Sequence, residues 1–145
     1  MADFVLHAAS PLPARTVFER LVDWDRHSAA IPLTRLQHDG APRVGQRFVA
    51  RTGVGRVGFD DVMVVDVLDP PSGDQPGEVP GRVTITKHGR VVGGTVGWKV
   101  APTATGSAIT WTQHLVIPWL PRFIDPLVGA IGSRAYGMGL RRLLA

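Results

Sequence analysis

Hydrophobic residues along this chain change their spacing twice. From Asp3 to Ala9 the residues are strand formers, and the run ends at Ser10, Pro11, Leu12 and Pro13, which predicts a short first strand. The prolines then set a helix start. Between Ala14 and Val22 the apolar positions Ala14, Val17, Phe18 and Leu21 fall at i, i+3, i+4 and i+7, with Arg15, Glu19 and Arg20 opposite. This predicts an amphipathic helix. After Asp23, the stretch Trp24 to Ala30 is expected to add one or two helical turns, ended by Pro32, whose ring disfavours helix at Ile31. Two short helices with a kink between them are expected.

Beyond Pro32 the spacing becomes period two and remains so as far as Ile117. Candidate strands are Thr34 to His38, Gln46 to Thr52, Phe59 to Leu68, Arg82 to Lys87, Val91 to Val100 and Ala108 to Ile117, separated by Gly-rich turns. The spacing fits an antiparallel meander. The longest break, Asp69 to Gly81, has too many turn formers for an element and is read as a surface loop. From Arg122 to Ala145 helical spacing returns, with Ile124, Leu127, Val128, Ile131, Ala135, Met138 and Arg142 along one side. This predicts a long C-terminal helix, in which Pro126 suits the first turn. Gly129, Gly132, Gly137 and Gly139 each cost about 0.8 to 1 kcal/mol relative to Ala in a helix interior. Close approach to a sheet would offset that cost, as would a need for empty volume beside the helix; the alternative is that part of the segment is not helical.

With 145 residues, 44% of them hydrophobic, the chain is a single domain that needs no staples. The absence of cysteine excludes disulfides, thiolate catalysis, iron–sulfur clusters and Cys-type zinc sites. No stretch is long and apolar enough for a membrane span, and no basic segment leads an apolar one at the N-terminus, so a cytoplasmic location is expected. Sixteen Lys and Arg against 12 Asp and Glu give a net charge of +4, but the basic residues are dispersed. Tracking phosphates needs a clustered basic stripe, so no nucleic-acid partner is expected.

The order strand, two short helices, six antiparallel strands and long C-terminal helix is that of the helix-grip fold. Three stretches add to the likeness: Leu21 to His27 after the first helix, Phe59 to Val65 closed by Asp69, Pro70 and Pro71, and the terminal Leu140, Arg141, Arg142 and Leu143. Through these the whole chain, 1–145, resembles a single domain of the START-like superfamily that includes Bet v 1, polyketide cyclases and coenzyme-Q-binding proteins, in its bacterial SRPBCC branch. The resemblance implies an α+β fold, a curved antiparallel sheet of about seven strands wrapped around the C-terminal helix. It also implies an apolar cavity between sheet and helix that can hold a lipid, polyketide, isoprenoid or quinone-like molecule. The fold does not choose among them.

Strand alternation then nominates the wall of that cavity. On the last strand Ile109, Trp111, Gln113 and Leu115 share one face, as do Val96 and Trp98 on the strand before it and Phe59, Asp61, Met63 and Val65 earlier in the sheet. The helix would add Leu127, Val128, Ile131 and Ala135. Asp61 and Gln113 are the polar members of these faces, and ligand cavities tend to be apolar with a few placed polar groups. The plainer reading of each is a residue satisfied by backbone or water. Lys87 shares the parity of Val83 and Ile85; a desolvated lysine can form Schiff bases, whereas a lysine near a strand end ordinarily snorkels to the rim.

Other motifs carry less. Gly53, Gly55 and Gly58 match G-x-G-x-x-G, but a strand follows where the dinucleotide motif needs a helix, so a hairpin loop is expected. His7, His27, His38, His88 and His114 have no metal-ligand spacing, and no metal or cofactor is expected. Asp23 reads as a helix cap. The leading expectation is a non-catalytic binder or carrier of a hydrophobic small molecule. A polyketide cyclase or aromatase-like enzyme is the alternative, and a protein-interaction module of the same fold is a third. An enzyme should place two or more titratable groups together on the inner wall. Oligomeric state is not legible in the sequence.

Overall fold

The computed structural model describes residues 2–26, 34–54, 56–88, 93–116 and 125–144. Strand β1 (Ala2–Ser10) leads into helix α1 (Ala14–Leu21). Strands β2 (Thr34–Gln37), β3 (Arg47–Val54), β4 (Val57–Asp69), β5 (Gly81–His88), β6 (Gly93–Thr103) and β7 (Gly106–Val116) follow, and helix α2 (Asp125–Leu144) ends the fold.

The four apolar positions that predict α1 are the ones it buries: Ala14, Val17, Phe18 and Leu21. Its first turn is held by the loop between β4 and β5. The Arg15 backbone N–H donates to Asp74 Oδ1 at 3.0 Å, and the Arg15 guanidinium donates to the Ser72 carbonyl at 3.2 Å. The expected second short helix starts as a turn at residues 24–26, where the Asp23 carboxylate accepts the Arg26 backbone N–H as a cap. Its remainder, with His27, lies outside the described residues.

The seven strands form one antiparallel sheet in the order β1-β7-β6-β5-β4-β3-β2. Strands β2 to β7 are a meander, and β1 returns to pair with β7, from Ala2 opposite Leu115 to Ser10 opposite Ser107. Because successive side chains point to opposite faces, one face of the curved sheet is lined by Phe48 and Ala50, Met63 and Val65, Val83 and Ile85, Val96 and Trp98, and Ile109 and Trp111, all buried. A bulge interrupts the pairing of β4 with β5 between Val65 and Val67. The extra residue shifts the alternation, so Leu68 packs on the core where parity would have placed Val67.

The glycine-rich stretch is the hairpin between β3 and β4, with Val54 opposite Val57. Gly53 has a φ of 152°, and a Cβ there would lie 2.2 Å from the Val57 carbonyl oxygen. The glycine serves a tight turn.

The C-terminal segment is one helix, with the face inward that ends in Tyr136, Leu140 and Leu143. The face read from the sequence differs from it: Ile131 is 61% exposed and Met138 40% exposed, and Arg142 is also outside. The spacing i, i+4, i+7 of Tyr136, Leu140 and Leu143 is equally periodic and lies about 100° around the helix, one residue step away. Apolar residues stand on both sides of α2, so periodicity alone selects the wrong one.

Candidate functional site

Asp61, Lys87, Gln113 and Tyr136 are polar side chains that stand on or against the inner face. Asp61 on β4 and Lys87 on β5 form an ion pair, Lys87 Nζ lying 2.6 Å from Asp61 Oδ2, with side-chain exposures of 4% for Lys87 and 5% for Asp61. Lys87 is opposite Met63 in the ladder, two residues along from Asp61, so the lysine stem crosses diagonally to reach the carboxylate. Tyr136 of α2 also acts on the Lys87 ammonium. On β7, the Trp111 indole N–H donates to Gln113 Oε1 at 3.0 Å.

Burial dominates the electrostatics of the pair. It pushes the Asp61 carboxyl up, and the Lys87 charge offsets this only in part. Burial opposes the Lys87 ammonium as well, but Tyr136 and Asp61 together outweigh it and hold the proton above the ordinary lysine value. Both groups therefore hold a proton more tightly than they would in water. Two atoms of this polar set, Asp61 Oδ1 and Gln113 Nε2, are buried with no hydrogen-bond partner among the described residues. Such groups ordinarily find one.

The wall around them is aromatic. Phe48 stacks on Trp24 (4.7 Å between ring centroids), Trp24 tilts against Trp98 (6.2 Å), Trp98 meets Trp111 edge-on (5.2 Å), Trp111 lies against Tyr136 (5.4 Å) and Tyr136 stacks on Phe4 (5.8 Å). One continuous row thus runs from β3 to β1, each contact at a distance typical of favourable ring pairs. Trp24 is fixed at one end, its indole N–H donating to Gln46 Oε1 at 2.9 Å.

Of the positions nominated from sequence, Asp61, Met63, Val65, Val96, Trp98, Ile109, Trp111 and Gln113 are all buried and share the inner face. Phe59 is half-buried, opposite Thr52 towards the hairpin end of β4. Ile131 points away from the interior, as described above. The side chains of Leu115, Leu127, Val128 and Ala135 lie outside the described residues.

Sequence reasoning undervalued Lys87. It was expected to snorkel to the rim, and it is instead shut inside against Asp61. The available signal was parity: Asp61 and Lys87 both belong to inward faces, and a buried ammonium requires a counter-charge. Tyr136, the only tyrosine in the chain, was missed because the helix face was misphased.

A concavity of about 380 Å³ lies on the surface between α1 and the loop after β2, lined by Trp24 and by Glu19, Asp23, Asp25 and His38. His38 Nε2 is 2.9 Å from Asp25 Oδ1, and Nδ1 is 3.0 Å from the Gly40 carbonyl oxygen. Among the described residues no group of three or more His, Asp or Glu is placed to hold a metal ion, and no helix is long and apolar enough to cross a membrane.

The seven-stranded antiparallel sheet and its C-terminal helix form the helix-grip fold that the order of elements implied. Among the solved structures that share it are these three. The aromatase/cyclase ZhuI from Streptomyces sp. R1128 superposes with a TM-score of 0.71 at 14% identity, over 98% of this chain and 90% of its own. Ara h 8.0201 does so with a TM-score of 0.67 at 14% identity, over 97% and 93%. The di-domain ARO/CYC protein StfQ of the steffimycin biosynthetic pathway gives 0.74 at 16% identity, over 99% of this chain and 49% of its own. No family model matches the chain, and no curated protein is similar to it in sequence.

Proposed function

We propose that the protein binds a hydrophobic small molecule, of lipid, polyketide, isoprenoid or quinone-like character, between the inner face of the sheet and α2. The observation that carries this reading is that Asp61 Oδ1 and Gln113 Nε2, on an otherwise apolar and aromatic wall, are buried without a hydrogen-bond partner among the described residues. A bound molecule would be held by apolar burial and oriented by these two atoms, an acceptor at one end and a donor at the other. Both are shut off from solvent, so loading requires the elements packed over them to open.

One observation favours a second, enzymatic reading of the polyketide cyclase kind: Asp61, Lys87 and Tyr136 are three titratable groups drawn together on this wall. Such a set can move protons in an enolisation or dehydration. Both readings share the bound molecule and differ in whether it leaves changed.

Native mass spectrometry before and after solvent extraction tests the shared claim. A co-purifying apolar molecule near one per chain is the expected result. An apo mass, together with no rise in melting temperature across lipids, quinones and polyketide mimics, would overturn it. Recovery of any stabilising polyketide mimic in cyclised or dehydrated form would decide for the enzyme.

A further inference from the structure

We propose that Lys87 condenses with the carbonyl group of a flat aromatic aldehyde or ketone, holding it as an imine while Asp61 and Tyr136 carry the protons. The inference rests on the binding reading above and narrows its ligand to carbonyl compounds.

The chain has two lysines. Lys99 is exposed on the outer face of β6, while Lys87 is enclosed on the inner one. An internal ion pair is a poor means of stabilising a fold, since well-packed apolar residues do as well or better. Its presence on the ligand wall therefore points to chemistry. Desolvated lysines form Schiff bases, and Lys87, whose proton Asp61 and Tyr136 hold, must first pass that proton to an acceptor. Here the acceptor is Asp61 at 2.6 Å, whose burial raises its affinity for a proton. The aromatic character of the ligand follows from its surroundings, because Trp98, Trp111 and Tyr136 form one run of packed rings on this side of the interior.

The step balances without any further reactant. The Lys87 ammonium passes one proton to Asp61, and the freed lone pair forms a C–N bond as the carbonyl π pair moves to oxygen. Asp61 returns its proton to that oxygen, giving a carbinolamine. Tyr136 relays a second proton from nitrogen to the hydroxyl, which leaves as water. The product is a protonated imine beside the Asp61 carboxylate. One positive and one negative charge face each other at the start and at the end, so the condensation adds no buried net charge.

The test incubates the protein with 2-naphthaldehyde and sodium cyanoborohydride, followed by intact mass and peptide mapping. The carbonyl-free 2-naphthalenemethanol is run in parallel by thermal melting. The expected result is one reduced adduct per chain at Lys87, exceeding modification of Lys99 by about tenfold or more. Lys99→Arg should leave it unchanged, Lys87→Arg should abolish it, and Asp61→Asn should slow it about tenfold or more. The Lys87 to Lys99 ratio is read in the unaltered chain and survives any variant that fails to fold. If naphthalenemethanol raises the melting temperature but Lys87 is not modified in preference to Lys99, the imine is overturned while binding stands. If neither compound shifts the melt and no adduct forms, the carbonyl proposal falls, while the binding reading is decided by the native mass and the ligand panel.

Discussion

Trp111 and Gln113 lie two residues apart on the inner face of β7, and the indole N–H of the first donates to the amide oxygen of the second at 3.0 Å. This contact orients the amide, oxygen towards the ring and nitrogen towards the unpartnered interior. Gln113→Leu takes that acceptor from a buried indole and is expected to destabilise the fold by about 1–3 kcal/mol. The double variant Trp111→Phe/Gln113→Leu should cost less than the sum of the single variants, because the donor goes with the acceptor. Urea denaturation of the four proteins measures the difference.

The Asp61–Lys87 pair should behave asymmetrically under mutation. Asp61→Leu or Lys87→Met alone strands a buried charge and is expected to cost about 3–5 kcal/mol. The double variant should recover most of that loss, and a double-variant loss equal to the sum of the two single losses would exclude a coupled pair. Denaturant titration reads the coupling directly.

His38 places Nε2 2.9 Å from Asp25 Oδ1 and Nδ1 beside the Gly40 backbone, 3.0 Å from its carbonyl oxygen and 3.3 Å from its N–H. The hydrogen bond to Asp25, helped by the Gly40 carbonyl, raises its pKa above 6.5. A raised pKa in the folded state means that the contribution is fully present below pH 6.5 and is lost as pH rises through the folded value. Asp25→Asn should bring the His38 titration down in an NMR experiment. Its stability deficit relative to the unaltered protein should be largest below pH 6.5 and shrink above the folded pKa.

A Cβ at Gly137 would meet nothing within 4 Å. No close approach explains this glycine, so Gly137→Ala should stabilise α2 by about 0.8 to 1 kcal/mol, readable as a higher melting temperature. A simultaneous loss of ligand affinity would show that the open volume beside it belongs to the binding space.

The order of elements was legible because each part of the chain keeps one period. In α1 the apolar stripe and the buried face coincide residue for residue, and in β5 to β7 strict alternation identified the inner wall. Legibility ended where a local rule met a tertiary one. The Val65/Val67 bulge moves a residue across the sheet without any mark in the pattern. The two-sided apolar character of α2 let Ile131 stand for an inner residue while Tyr136 went unnoticed. The orientation of Lys87 was visible, yet its partner was not, since a contact 26 positions away in sequence depends on how β4 and β5 are registered. Asp61 and Gln113 were identifiable as polar exceptions on apolar faces, but the atoms left unpartnered emerge only with the packed rings around them.

The closure of the sheet by β1 against β7 also orders events during synthesis. Ser10 pairs with Ser107, so the first strand made must wait for nearly the last. At ribosomal speeds of about 5–20 residues per second this delay is roughly 5–20 s. During that interval Phe4 and Leu6 have no sheet partner, while the meander from β2 onwards can zip up locally as each hairpin emerges. Final docking of β1 is a long-range contact and a slow step by topology. A nascent chain halted before β7 should therefore hold a formed meander and a protease-sensitive N-terminal arm, the state most open to mispairing with a neighbouring copy.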